Sequence, residues 1–92
     1  MGTEGRIERL RNAIERELAP AQLAIADDSA AHAGHAGARA GGHFRVEIVS
    51  ERFRGRSRLE RHRLVYEAVS ELLAGDIHAL NIVARTPEES TS

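Results

Sequence analysis

The chain has 92 residues, 41% hydrophobic and 29% charged, with a formal net charge of −1, which fits one small globular domain with a single core. It contains no cysteine, so disulfide stapling, thiol nucleophiles and cysteine-only zinc or iron–sulfur sites are excluded, and the five histidines are the soft ligands that remain. No apolar run approaches the ~18 residues of a membrane helix, and Met1 to Glu17 is charged where a signal peptide is apolar, so the expectation is a soluble, cytoplasmic protein with no membrane association.

From Thr3 to Leu18 the apolar residues Ile7, Leu10, Ile14 and Leu18 recur at spacings of three and four, which predicts an amphipathic helix. Thr3 can cap its start, and Pro20 lacks the N–H of a continuing helix, so it should stop near Ala19. Leu23 and Ile25 alternate with polar or small neighbours, and His43 to Ser50 alternates Phe44, Val46 and Ile48 against His43, Arg45 and Glu47; both read as half-buried strands. Asp28 to Gly42, mostly Ala, Gly and His, exceeds the usual ~2–5-residue hairpin loop, a length that goes with function or disorder.

Phe53, Gly55 and Ser57 mark a turn into a second helix, predicted from Arg58 to Ala74 with Leu59, Val65, Tyr66, Val69, Leu72 and Leu73 as its buried stripe. Gly75 suits the position just past its end. Ile77 to Ala84 reads as a β-branched strand, and Pro87 stops it before a short polar tail, residues 88–92. The order is helix, strand, strand, helix, strand. A crossover helix favours a parallel pairing of strands two and three, while strands one and two pair antiparallel. The expected fold is therefore α/β of the α+β kind, a three-stranded mixed sheet with both helices on one face, formed by a single domain over residues 1–92.

All thirteen basic residues are arginine, and Arg52, Arg54, Arg56, Arg58, Arg61 and Arg63 fall within twelve residues that hold one acid, Glu60, a local charge of +5. Such a segment running into a helix N-terminus attracts anions. Its bland counterpart is a solvated arginine face balanced by Glu47, Glu51, Glu67 and Glu71. Phe44 and Tyr66 sit on core stripes, so no platform for stacking bases is evident. Duplex DNA could accept the helix, although Arg58, Glu60, Arg61 and Arg63 offer no unambiguous base-reading set. No Ser/His/Asp, Walker-type or dinucleotide fingerprint occurs, and the Gly-rich stretch 34–42 lacks the phosphate-loop lysine, so catalysis is not expected.

Among the histidines, His62 falls on the apolar stripe of the second helix and reads as a core residue, while His43 opens the second strand on its polar face. His32 and His35 lie three apart in the loop, too few to close a metal site alone. His78 begins the last strand, on the same side as Leu80 and Ile82 by alternation. Strands two and three begin at one end of the sheet, where the loop also lies, so His78 and one loop histidine could converge there as a half-site completed by a partner.

The run SAAHAGHAG, followed by GGHFRVEIVSERFRG, LERHRLVYEAVSELL and IHALNIVARTPEE, closely resembles the BolA family from about Arg6 to Pro87. The resemblance implies a fold similar to class II KH domains. It also implies a monomer that forms a heterodimer with a monothiol glutaredoxin, the pair sharing a [2Fe–2S] cluster to which the partner contributes its cysteine and a glutathione thiol. The family's histidine at the start of the last strand maps onto His78 and its loop ligand onto His32, with His35 as the alternative. Imidazole in place of thiolate on one iron is the arrangement of Rieske centres. The family is also described as transcriptional regulators of stress response and cell shape, with DNA contact in a helix-turn-helix-like region that maps onto Arg54, Gly55, Arg58, Arg61, His62 and Arg63, with Arg56 between them.

Overall fold

The computed structural model describes residues 3–27, 42–73, 75 and 77–91. Helix α1 spans Thr3–Leu18 and buries Leu10, Ala13, Ile14 and Leu18, with Ile7 packed at the edge of the same cluster. It closes where Ala19 takes a left-handed φ of 43° and donates its N–H to the Glu15 carbonyl at 3.2 Å. Pro20 then rules out another turn.

Strands β1 (Gln22–Asp27), β2 (Gly42–Val49) and β3 (Ile77–Arg85) form one sheet in the order β1-β2-β3. As expected, β1 runs antiparallel to β2 and β2 parallel to β3. The register sets Leu23 opposite Ile48 and Ile25 opposite Val46, which gathers the alternating apolar side chains on one face. Phe44, Val46 and Ile48 of the central strand are buried there, beneath α1 and helix α2 (Arg58–Ala68), which packs on β3. The other face is polar, with Glu47 paired to Arg45 at 3.5 Å and to Arg85 at 3.8 Å.

The second helix departs from expectation in length and in facing. Helix α2 ends at Ala68, because Val69 takes φ −112° and ψ 18° while its N–H still reaches Glu67 and Val65; a short helix α3 (Ser70–Leu73) follows. Val65 and Val69 are buried, but Leu59 and Tyr66 are 61% and 41% exposed, and His62 is half-buried rather than in the core. Apolar residues are spread around this helix, and its core side carries Val65, with Leu64 and Ala68 partly buried beside it. Residues 88–91, expected as part of the polar tail, form helix α4 (Pro87–Thr91) together with Pro87. Thr86 and Glu89 cap it reciprocally: the Thr86 N–H donates to Glu89 Oε1 at 2.9 Å, and the Glu89 N–H donates to Thr86 Oγ1 at 3.3 Å. Pro87 takes the first helical position, which needs no N–H.

The β2–β3 ladder contains one register step. Gly42 lies opposite Ile77 and His43 opposite Ala79, so His78 is the extra residue of a β-bulge. Ile77 before the step is buried at 3% exposure; the expected side of the His78 ring lies outside the described residues.

Candidate functional site

At one end of the sheet β1 finishes, β2 begins and β3 begins. Asp27 is opposite Phe44 and Gly42 opposite Ile77, so these three strand ends share one end of the sheet. His78 stands at this end within the bulge; its side chain lies outside the described set, as do His32, His35 and the rest of residues 28–41. Among the described residues no group of three or more His, Cys, Asp or Glu is placed to hold a metal ion. The cysteine-free sequence offers no thiolate of its own to a metal or cluster.

The arginine segment is built on two caps and one anchor. Ser50 is fully buried; its Oγ accepts from the Arg52 N–H at 3.1 Å, starting a 3₁₀ turn over Glu51–Phe53, and donates to the Leu18 carbonyl at 2.7 Å. Phe53 is fully buried beneath the turn. Gly55 has φ 74°, which favours glycine. Ser57 then caps α2: its Oγ accepts from the Glu60 N–H at 3.1 Å, and its own N–H donates to Glu60 at 2.8 Å. These hydrogen bonds, with help from Arg56 and Arg63, hold the Glu60 carboxyl below its usual range.

Two of the expected anion-binding arginines are already engaged. Arg54 donates to Glu51 at 2.6 Å and forks onto Glu88. Arg61, with 14% of its side chain exposed, donates to the Arg56 carbonyl at 3.0 Å, the Ala84 carbonyl at 3.1 Å and Glu89 at 2.6 and 3.1 Å. Its guanidinium carbon lies 6.0 Å from the centre of the Phe53 ring. Arg56 reaches the Arg52 carbonyl, and Arg58 and Arg63 are exposed. Alongside, Arg56, Arg58, Arg61, His62 and Arg85 line a groove of about 430 Å³ against the last residues of β3. Of the four carboxylates expected to balance this segment only Glu51 does so; Glu47 belongs to the open sheet face, and Glu67 and Glu71 line a groove beside α1. The balancing residues that sequence reasoning missed are Glu88 and Glu89. Their signal was the TPEE run, a helix start with Thr at the cap and Glu three residues later.

The Arg61 fork, reinforced by the Thr86 N–H, lowers the Glu89 carboxyl to about 2, and the Arg54 fork lowers Glu88. Their folded values lie below the ordinary value of 4.5. The stabilisation they provide is complete above that value and is lost as pH falls from it toward about 2. In acid titrations the α4 amides are therefore expected to lose exchange protection across that window. Glu89→Gln should flatten the corresponding part of the stability–pH curve; an unchanged curve would show that the pairs contribute nothing.

No described helix is long and apolar enough to cross a membrane. The family model for BolA-like protein matches residues 14–89. The chain is 46% identical over 93 residues to the chloroplastic protein BOLA1 of Arabidopsis thaliana, covering 97% of this chain and 58% of that one. It is 44% identical over 87 residues to SufE-like protein 1, chloroplastic/mitochondrial, of the same plant, covering 88% of this chain and 24% of that one; it thus spans only part of the length of both. Among solved structures, the BolA domain of SufE1 from Arabidopsis thaliana superposes with a TM-score of 0.80 at 43% identity, covering 97% of this chain and 98% of that one. Yeast Fra2 superposes with a TM-score of 0.66 at 30% identity, covering 100% and 86%. The match extends from the middle of α1 through the bulge and the arginine segment to the cap of α4, and it places the chain in the BolA-like family.

Proposed function

We propose that this protein is a non-enzymatic adaptor that binds a monothiol glutaredoxin and shares a [2Fe–2S] cluster with it, for iron–sulfur cluster trafficking or iron sensing. The observation that carries this reading is the bulge at His78, at the sheet end where the long histidine-bearing connection leaves β1 and enters β2. Family membership supports it, as do a relative in which a BolA domain is part of a SufE-like protein and the likeness to Fra2. His78 and one of His32 and His35 are the chain's donors, and the absence of cysteine leaves the thiolates to the partner and glutathione. A cluster held in this way supplies one-electron chemistry at a potential raised by imidazole ligation. The role of the chain is to present one imidazole from the start of β3 and a second from the connection between β1 and β2.

The test is visible circular dichroism during titration of cluster-loaded monothiol glutaredoxin with the full chain. Wild type is expected to create a new spectrum. His78→Ala should abolish it or weaken the shared complex at least about tenfold, since even outer-shell ligand partners are worth that much. Whichever of His32→Ala and His35→Ala has the same effect identifies the loop ligand. An unchanged spectrum on adding wild type, or full retention by His78→Ala, would sink the reading. A second reading, a DNA-binding regulator of stress response and cell morphology, is favoured by the arginine-lined groove beside β3.

A further inference from the structure

We propose that α4 is an acidic strap covering two of the six arginines of the arginine segment, and that a phosphodiester chain docks on this surface by displacing Glu88 and Glu89 from Arg54 and Arg61. The inference rests on the second reading above and adds its regulation. Both glutamates meet their arginines through two guanidinium nitrogens, the forked geometry in which arginine also binds phosphate. The strap is held at the surface: the Glu88 and Glu89 side chains are 62% and 48% exposed, and the Arg54–Glu88 pair, exposed on both sides, is of the kind that exchanges readily.

Displacement would leave the surface intact. Arg61 keeps the carbonyls of Arg56 and Ala84, and Arg54 keeps Glu51. The freed guanidinium edges would then extend the groove lined by Arg56, Arg58, His62 and Arg85, whose lining includes no residue of α4. The cations come from the turn, from α2 and from the edge strand, with no Phe, Tyr or Trp lining the groove. Arginines spread over three elements, with no Phe, Tyr or Trp to anchor side chains, suit the repeating charge of a phosphodiester backbone better than an acidic peptide, which would need such anchors for specificity.

The experiment is fluorescence anisotropy of a labelled duplex of about 20 base pairs with the full chain over a salt series. Glu88→Gln/Glu89→Gln removes the charge, yet Gln at the third helical position can still close the capping box. Relative to wild type this variant is expected to bind about tenfold tighter near 0.1 M salt, with a log–log salt slope steeper by up to about 2. Glu67→Gln/Glu71→Gln makes the same change in net charge beside α1 and should stay within about twofold, with the slope unchanged. Glu88→Gln alone keeps the Thr86–Glu89 cap whole and should give about half the slope change. In wild type, added duplex should speed exchange of the Ser90 amide, which donates to the Thr86 carbonyl at 3.0 Å. If the Glu88/Glu89 variant gains no more than the Glu67/Glu71 variant, the strap is refuted while DNA binding stands. If neither binds the duplex, both fall. A larger gain for a poly-glutamate peptide than for the duplex would overturn the phosphodiester assignment.

Discussion

Phe53→Ala is expected to cost about 3–5 kcal/mol, the range for emptying a buried aromatic site, against a total stability of about 5–15 kcal/mol for a domain of ordinary stability. The side chain is fully buried and belongs to the cluster formed by α1, the sheet and α2. Its backbone is held by the N–H donated to the Ser50 carbonyl at 3.2 Å, so the turn cannot easily collapse into the void. Urea unfolding should show a lower midpoint with an unchanged slope. Phe53→Leu refills part of the volume and should cost markedly less, about 1–1.5 kcal/mol. Because Arg61 lies over this ring, both variants should also raise the mobility of that guanidinium. A loss below about 1 kcal/mol for the alanine variant would mean the site repacks, contrary to the close packing described.

Ser50→Ala should cost about 2–4 kcal/mol, although it removes a single oxygen. That oxygen serves two elements at once, donating to the last carbonyl of α1 and accepting from Arg52 at the start of the 3₁₀ turn. Removing it strands a buried carbonyl, a penalty of about 1–3 kcal/mol, and deletes a cap worth about 1 kcal/mol. Ser57→Ala removes only an exposed cap and should cost about 1 kcal/mol. The ratio between the two variants is the check. Equal losses would show that the Leu18 carbonyl finds water when the hydroxyl is gone.

Helix α1, the three strands and their pairing were legible because each obeys one period: Leu10, Ile14 and Leu18 at helical spacing, and Phe44, Val46 and Ile48 at spacing two. Helix α2 defeated the same reading because Leu59, Val65, Tyr66 and Val69 support more than one stripe. The side turned toward the sheet includes Arg61, whose charge argued for solvent until its carbonyl and carboxylate partners were seen. The bulge at His78 leaves no mark in a strand pattern, since an extra residue changes parity without changing composition. The basic segment was found from composition, but its neutralisation by Glu88 and Glu89 was not, because those partners lie 34 and 28 residues away in sequence.

The contact between Arg61 and the Ala84 carbonyl bears on self-association. Carbonyls alternate in direction along a strand; that of Arg85 accepts from the Ser50 N–H, next to β2, so that of Ala84 faces the outer edge of the sheet. An open edge of this kind is a template on which another chain can add a strand and seed aggregates. Here a guanidinium fills that acceptor at 3.1 Å, and the arginines beside it repel any second copy that presents the same edge. An arginine first noticed as a candidate for gripping DNA thus also works as a gatekeeper, keeping the last strand of the sheet the last.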